Sequence, residues 1–182
     1  SLPAEERREQ ASIIAPHLRG LASGFNRMVG HFSDDERVLE FINSNDLEKL
    51  APLGTSCPDH FLRTKIRPLV LEIAPDTDLS DMTEIKAYLE KEFEAYRQYY
   101  TKYYNDHKRD NSPGIRDSNP VVILWPGVGM FSYAKNKQTA RVPKLFLLTF
   151  LCHCKKHLTL STGYWKKPNF KECLKNNLFP EK

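Results

Sequence analysis

Apolar residues recur along this chain with two different periods, and each period points to its own kind of element. Between Ala4 and Leu21, Ile13, Ile14, Leu18 and Leu21 gather on one side of a helical wheel, while Glu5, Glu6 and Glu9 suit the positive end of a helix. Pro16 falls inside that span, where it removes a hydrogen bond and predicts a kink. Phe25–Phe32 predicts a short strand. Ser33, with Glu36 three residues on, spells a capping box for a helix over Asp34–Asn43. Asn45–Leu50 adds a helical turn, which Pro52 and Gly54 stop.

The second half carries the stronger pattern. Ile66–Ile73 is β-branched and leucine-rich, and reads as a buried strand closed by Ala74-Pro75. Asp81 or Thr83 caps a long helix that runs to about Lys108. Along it Ile85, Leu89, Phe93, Tyr96, Tyr100 and Tyr103 repeat every three or four residues as one stripe. Asp110–Asn119, polar and holding Pro113-Gly114, predicts a surface loop. Val121–Trp125 is a second buried strand, Pro126-Gly127-Val128-Gly129 a sharp turn, and Met130–Tyr133 continues extended. Strand, long helix and strand predict a right-handed βαβ crossover with a parallel pair. The fold class is α/β: a small sheet with a βαβ crossover and flanking helices.

Composition sharpens this picture in two ways. With 182 residues, 40% of them hydrophobic, the chain suffices for one core. No apolar run reaches the ~18 residues of a membrane span, and the charged start Ser1–Gln10 lacks the layout of a secretory signal, so the expected location is the cytoplasm. The net charge of +4 is unevenly spread. Residues 1–142 hold 19 Lys and Arg against 21 Asp and Glu, whereas residues 143–182 hold 8 Lys against 2 Glu. That tail also holds Cys152, Cys154 and Cys173, and its hydrophobic periodicity decays. A domain over 1–142 and an unrelated, poorly ordered tail over 143–182 are therefore expected. The body offers no basic face, so neither nucleic acid nor a membrane is an expected partner.

The candidate chemistry is sparse. Cys57, Asp59 and His60 lie in a loop before a strand, a place where ligands are often held. A Cys-x-x-His supplies two metal ligands, whereas catalytic zinc needs three and a water, so Cys57 and His60 are weak metal candidates. Packing for Cys57 and a local hydrogen bond for His60 is the favoured reading. Used functionally, His60 and Lys65, helped by Arg63 and Arg67, suit an anionic sugar phosphate or a neighbouring domain. Gly127 and Gly129 could turn backbone N–H groups toward a phosphate; a tight turn ending a buried strand is favoured. The tyrosines at 96, 99, 100, 103 and 104 suit either a sugar-stacking platform or, more simply, a core stripe with a rim. Lys135, Lys137 and Arg141 read as a solvated helix face. No residue is assigned as catalytic.

Two long runs carry a family resemblance. EFINSNDLEKLAPLGTSCPDHFLRTKIRPLVL (Glu40–Leu71) and NPVVILWPGVGMFSYAKNKQTA (Asn119–Ala140) resemble the middle region of bifunctional rhamnulose-1-phosphate aldolase/short-chain dehydrogenases, over roughly residues 3–142. The resemblance implies a class II aldolase domain before this region and a dehydrogenase domain after it. The parent would cleave rhamnulose 1-phosphate to dihydroxyacetone phosphate and lactaldehyde, then oxidise the aldehyde with NAD. Zinc or another divalent metal, held by histidines, and NAD are its implied cofactors, with none expected in this chain. The implied partners are the flanking catalytic domains; self-association stays open.

Neither centre shows in this sequence. It has no His-x-His, and Gly127-Val128-Gly129 lacks the third glycine of a dinucleotide loop. The Tyr-x-x-x-Lys of a short-chain dehydrogenase occurs in form at Tyr104/Lys108, within a helix of six tyrosines where chance supplies it. Cys57-Pro58-Asp59-His60 and Gly127-Val128-Gly129 resemble a decayed copy of the aldolase's two ligand positions, with Val128 where the third histidine would stand. This implies an aldolase-like domain that has lost its metal.

The tail suggests its own origin. Back-translated with ordinary codons and read from each third base, Cys154–Cys173 gives an acidic, amphipathic string resembling what the family carries next. A frameshift between Val142 and Cys154 is the expectation, and a lineage-specific extension the alternative. Three functional readings follow: a domain joining two catalytic halves, a small metal-dependent lyase using Cys57 and His60, and a binding domain for a sugar phosphate.

Overall fold

Alternate residues of two central strands face opposite apolar layers, and this alternation organises the molecule. The structure, a computed structural model, describes residues 2–24, 26–54 and 63–143. Chain order runs α1 (Ala4–Ser23), β1 (Val29–Ser33), α2 (Glu36–Ile42), α3 (Leu47–Leu50), a 3-10 turn (Ala51–Leu53), β2 (Leu69–Val70), α4 (Thr83–His107), β3 (Val122–Trp125) and β4 (Gly129–Ala134). Residues 137–143 form a further helix, α5. The sheet order is β1-β4-β3-β2. β2 and β3 are parallel, with Leu69 opposite Ile123, and the other two pairings are antiparallel. The βαβ crossover expected from the sequence is therefore present, with α4 as its connection.

On one side of the sheet Ile123, Trp125, Phe131 and Tyr133 pack with Ile14 and Leu18 of α1 and with Leu89, Phe93 and Tyr96 of α4. On the other, Val122, Leu124 and Met130 meet Val38, Phe41 and Ile42 of α2 and Leu47 of α3. Both faces being covered, every residue of β3 is buried, which explains a run that is apolar without alternation. The long stripe sorts as its period requires: Ile85, Leu89, Phe93, Tyr96 and Tyr100 are buried, and Tyr103 is half-buried.

Three local expectations change. The strand read over Ile66–Ile73 forms ladder pairs only at Leu69 and Val70, and hydroxyls from α4 serve main-chain groups on either side of them. Tyr96 Oη donates to Arg67 O at 2.7 Å, and Tyr88 Oη accepts from Glu72 N at 2.8 Å. The cap of α2 is Asp35, whose carboxylate accepts from Arg37 N at 3.1 Å; Ser33 belongs to β1, paired with Met130. The first short strand begins at Val29, with Phe25 outside the described residues. α1, by contrast, runs through Pro16, which lies on its exposed side with Ser12, whose carbonyl loses its partner.

The carboxyl end of α1 has no basic residue of its own, and neighbours supply the missing donors. Arg97 Nη2 donates to Leu21 O at 3.1 Å, and Asn119 Nδ2 donates to Ala22 O at 3.4 Å. The two side chains are joined, Arg97 Nε donating to Asn119 Oδ1 at 2.7 Å. Helix α4 and the loop before β3 thus hold α1 through one polar knot. Among the described residues, no helix is long and apolar enough to cross a membrane.

Candidate functional site

The residues nominated from the sequence fall in different places. Cys57, Asp59 and His60 lie outside the described residues, as does the chain after residue 143 with Cys152, Cys154 and Cys173. Lys65 precedes β2, at the end of the sheet where β3 begins. Its backbone takes φ 64°, a left-handed conformation that costs a non-glycine residue ~1–3 kcal/mol. The side chain explains why the strain persists. Its ammonium donates to the carbonyls of Asp117 and Asn119 and lies 4.6 Å from the centre of the Tyr100 ring. Burial pulls its pKa from 10.5 down to about 8, against the opposing pull of the Asp117 carboxylate. Lys65 thus ties the loop before β3 to the approach of β2.

Gly127 and Gly129 sit at the opposite end of the sheet from Lys65, where β3 turns into β4. At Gly127, φ is 81°, and a Cβ there would come within 2.7 Å of Pro75. Its N–H donates to Asn43 Oδ1 at 2.7 Å, and the N–H of Val128 donates to Trp125 O at 3.1 Å. A Cβ on Gly129 would lie 2.5 Å from the Phe32 ring. Val128 is fully buried, and Trp125 Nε1 donates to Ile73 O at 2.9 Å. In open α/β sheets ligands bind in the crevice beyond the carboxyl ends of the parallel strands. Here that position is occupied by Pro75, Asn43 and the hairpin's own side chains.

The tyrosines also find separate partners. Arg67 lies 3.8 Å over the Tyr99 ring, Tyr103 stacks on His107 with centroids 4.4 Å apart, and Tyr104 Oη donates to Pro113 O at 2.7 Å. Lys135, Lys137 and Arg141 are exposed around α5.

One concave surface has no local signature in the sequence. A groove of about 870 Å³ runs between α1 and the outer edge of β1, lined by Ser12, Pro16, Arg19, Arg27, Gly30 and Tyr133 among others, with Lys135 at its rim. The charge pattern could have hinted at it only if α1 had been known to lie against β1. Among the described residues, no group of three His, Cys, Asp or Glu side chains could hold a metal ion.

Comparison with known proteins places this geometry. Residues 9–151 match the family model described as aldolase class II, second domain. A relative from Bacillus subtilis (strain 168), named "Uncharacterized oxidoreductase YuxG", is 32% identical over 141 residues, which is 78% of this chain and 20% of that protein. The chain therefore spans about a fifth of the length of that relative. No solved structure matches.

Proposed function

Because the chain belongs to the class II aldolase second-domain family, we propose that it is a non-catalytic domain of a longer bifunctional enzyme of rhamnose breakdown. It joins and orients a rhamnulose-1-phosphate aldolase half and an NAD-dependent lactaldehyde dehydrogenase half, which carry the metal and the nicotinamide. The likeness to part of a much longer protein named as an oxidoreductase supports the dehydrogenase side of this reading.

The observation that carries it is the filled end of the parallel pair. An aldolase-like domain in service needs an open crevice there with ligands pointing into it. This chain presents fully buried Val128, with the neighbouring main-chain donors spent on Asn43 and Trp125. A position given over to packing makes a rigid support, which suits a domain that fixes the distance between two active sites.

Metal content separates this from a small lyase. After dialysis against zinc and then buffer, the purified chain is expected to retain well under one equivalent by elemental analysis. One tightly held zinc per chain, lost in Cys57→Ser and His60→Ala, would replace the joining role with metal-dependent catalysis.

A further inference from the structure

The groove beside β1 is a second place where chemistry gathers, and the joining role leaves it unused. Three cations line it, Arg19, Arg27 and Lys135, and none of the described lining residues is a carboxylate. Arg19 spends its Nε on Met28 O at 3.0 Å, which leaves its terminal nitrogens. Arg27 and Lys135 form no ion pair with any described residue. Like charges held around one concavity repel, and an anion relieves the repulsion.

The floor of the groove supplies the second observation. Tyr133 lines it with only 2% of its surface exposed, and its hydroxyl, unpaired among the described residues, is open to the groove rather than enclosed. The small part of Tyr133 left open thus includes its hydroxyl, which offers a hydrogen-bond donor to whatever occupies the groove. Burial also pushes the Tyr133 phenol up, so it stays protonated and acts as a donor. The hydroxyl is reachable because its cross-strand partner is Gly30: a Cβ there would already lie 3.0 Å from the Tyr133 ring.

The strand edge adds main-chain donors. Tyr133 N donates to Val121 O at 2.9 Å, toward β3, so the Gly30–Tyr133 pair is of the non-hydrogen-bonded kind. The N–H of Gly30, and by the same alternation that of Phe32, therefore points away from β4 along the outer edge. Cations also discourage strand addition at a bare edge. That role makes no use of the Tyr133 hydroxyl at the groove's floor.

We propose that the groove between α1 and β1 binds the phosphate group of a small phosphorylated molecule, held by Arg19, Arg27 and Lys135 and by the hydroxyl of Tyr133. A phosphate dianion offers several acceptor oxygens to this set of donors, and arginine forks match its geometry. The groove's size lies within the ~300–1,000 Å³ typical of small-molecule sites.

Calorimetric titration of the full chain with inorganic phosphate, near pH 8 where phosphate is a dianion, tests the site against sodium chloride at matched ionic strength. Saturable binding is expected with phosphate and none with chloride. Arg19→Gln/Arg27→Gln, exposed positions whose change leaves the core intact, should weaken it by about tenfold or more. Tyr133→Phe should weaken it about threefold or more, and the remote exchange Arg109→Gln should leave it unchanged. No saturable phosphate binding, or binding that survives the double exchange, would overturn the proposal.

Discussion

Phe93→Ala is expected to lower the unfolding free energy by about 3–5 kcal/mol, and to drop the melting temperature by roughly 6–20 °C at about 2–4 °C per kcal/mol. Phe93 sits midway along the buried stripe of α4, fully enclosed with Leu89, Tyr96 and residues of α1 and β3. Arg97 also lies over its ring, 5.8 Å from the centre. Removing the ring leaves a cavity in the layer that ties the crossover helix to the sheet, and two helices cannot both collapse into it. Differential scanning calorimetry of the full chain gives the number. A fall of less than about 0.5 kcal/mol, the size of an ordinary surface change, would mean that α4 is not braced through this stripe.

Asn119→Leu is expected to cost about 2–3 kcal/mol despite its near-equal volume, because it unmakes hydrogen bonds while keeping bulk. Asn119 is 9% exposed and receives Arg97 Nε at 2.7 Å while reaching Ala22 O. Its own N–H donates to Asp117 Oδ1 at 2.7 Å, and its carbonyl takes the Lys65 ammonium. Losing the side chain leaves the end of α1 under-capped and takes a partner from a half-buried guanidinium. A double-mutant cycle with Arg97→Gln should show coupling above ~0.5 kcal/mol, as contacting members of one network do. Additive effects would show that the two residues act independently and that the knot is only an adjacency.

These two residues also mark where the sequence could and could not be read. The stripe containing Phe93 was legible because helical spacing is a local signal, and the same holds for the apolar run of β3 and the glycine turn after it. The parallel pairing of β2 with β3 followed from strand, long helix and strand. Asn119, by contrast, reads only as the end of a polar loop. Its partners, Ala22 and Arg97, are brought to it by the fold, and no local pattern announces a contact across such separations. The pairing of β1 with β4 was hidden for the same reason, Gly30 meeting Tyr133 from the far end of the domain. Ser33 shows the complementary failure: a good capping signal lost to the strand that claimed its backbone.

The candidate site divides in the same way. The sequence around Lys65 suits an anionic ligand, yet its ammonium turns inward to two carbonyls, a choice that only the position of the Asp117–Asn119 loop decides. Gly127 and Gly129 spell a turn by themselves, whereas Asn43 and Pro75, which fill the space beside them, come from distant parts of the chain. The groove needs α1 laid along β1, so Arg19, Arg27 and Lys135 could not be grouped by spacing.

The joining role is tested most directly by incubating the folded 182-residue chain with rhamnulose 1-phosphate, zinc and NAD, and following dihydroxyacetone phosphate and NADH. Neither product is expected to rise above a protein-free control. Release of dihydroxyacetone phosphate that disappears in His60→Ala would contradict the account, since the domain would then hold a working aldolase centre of its own.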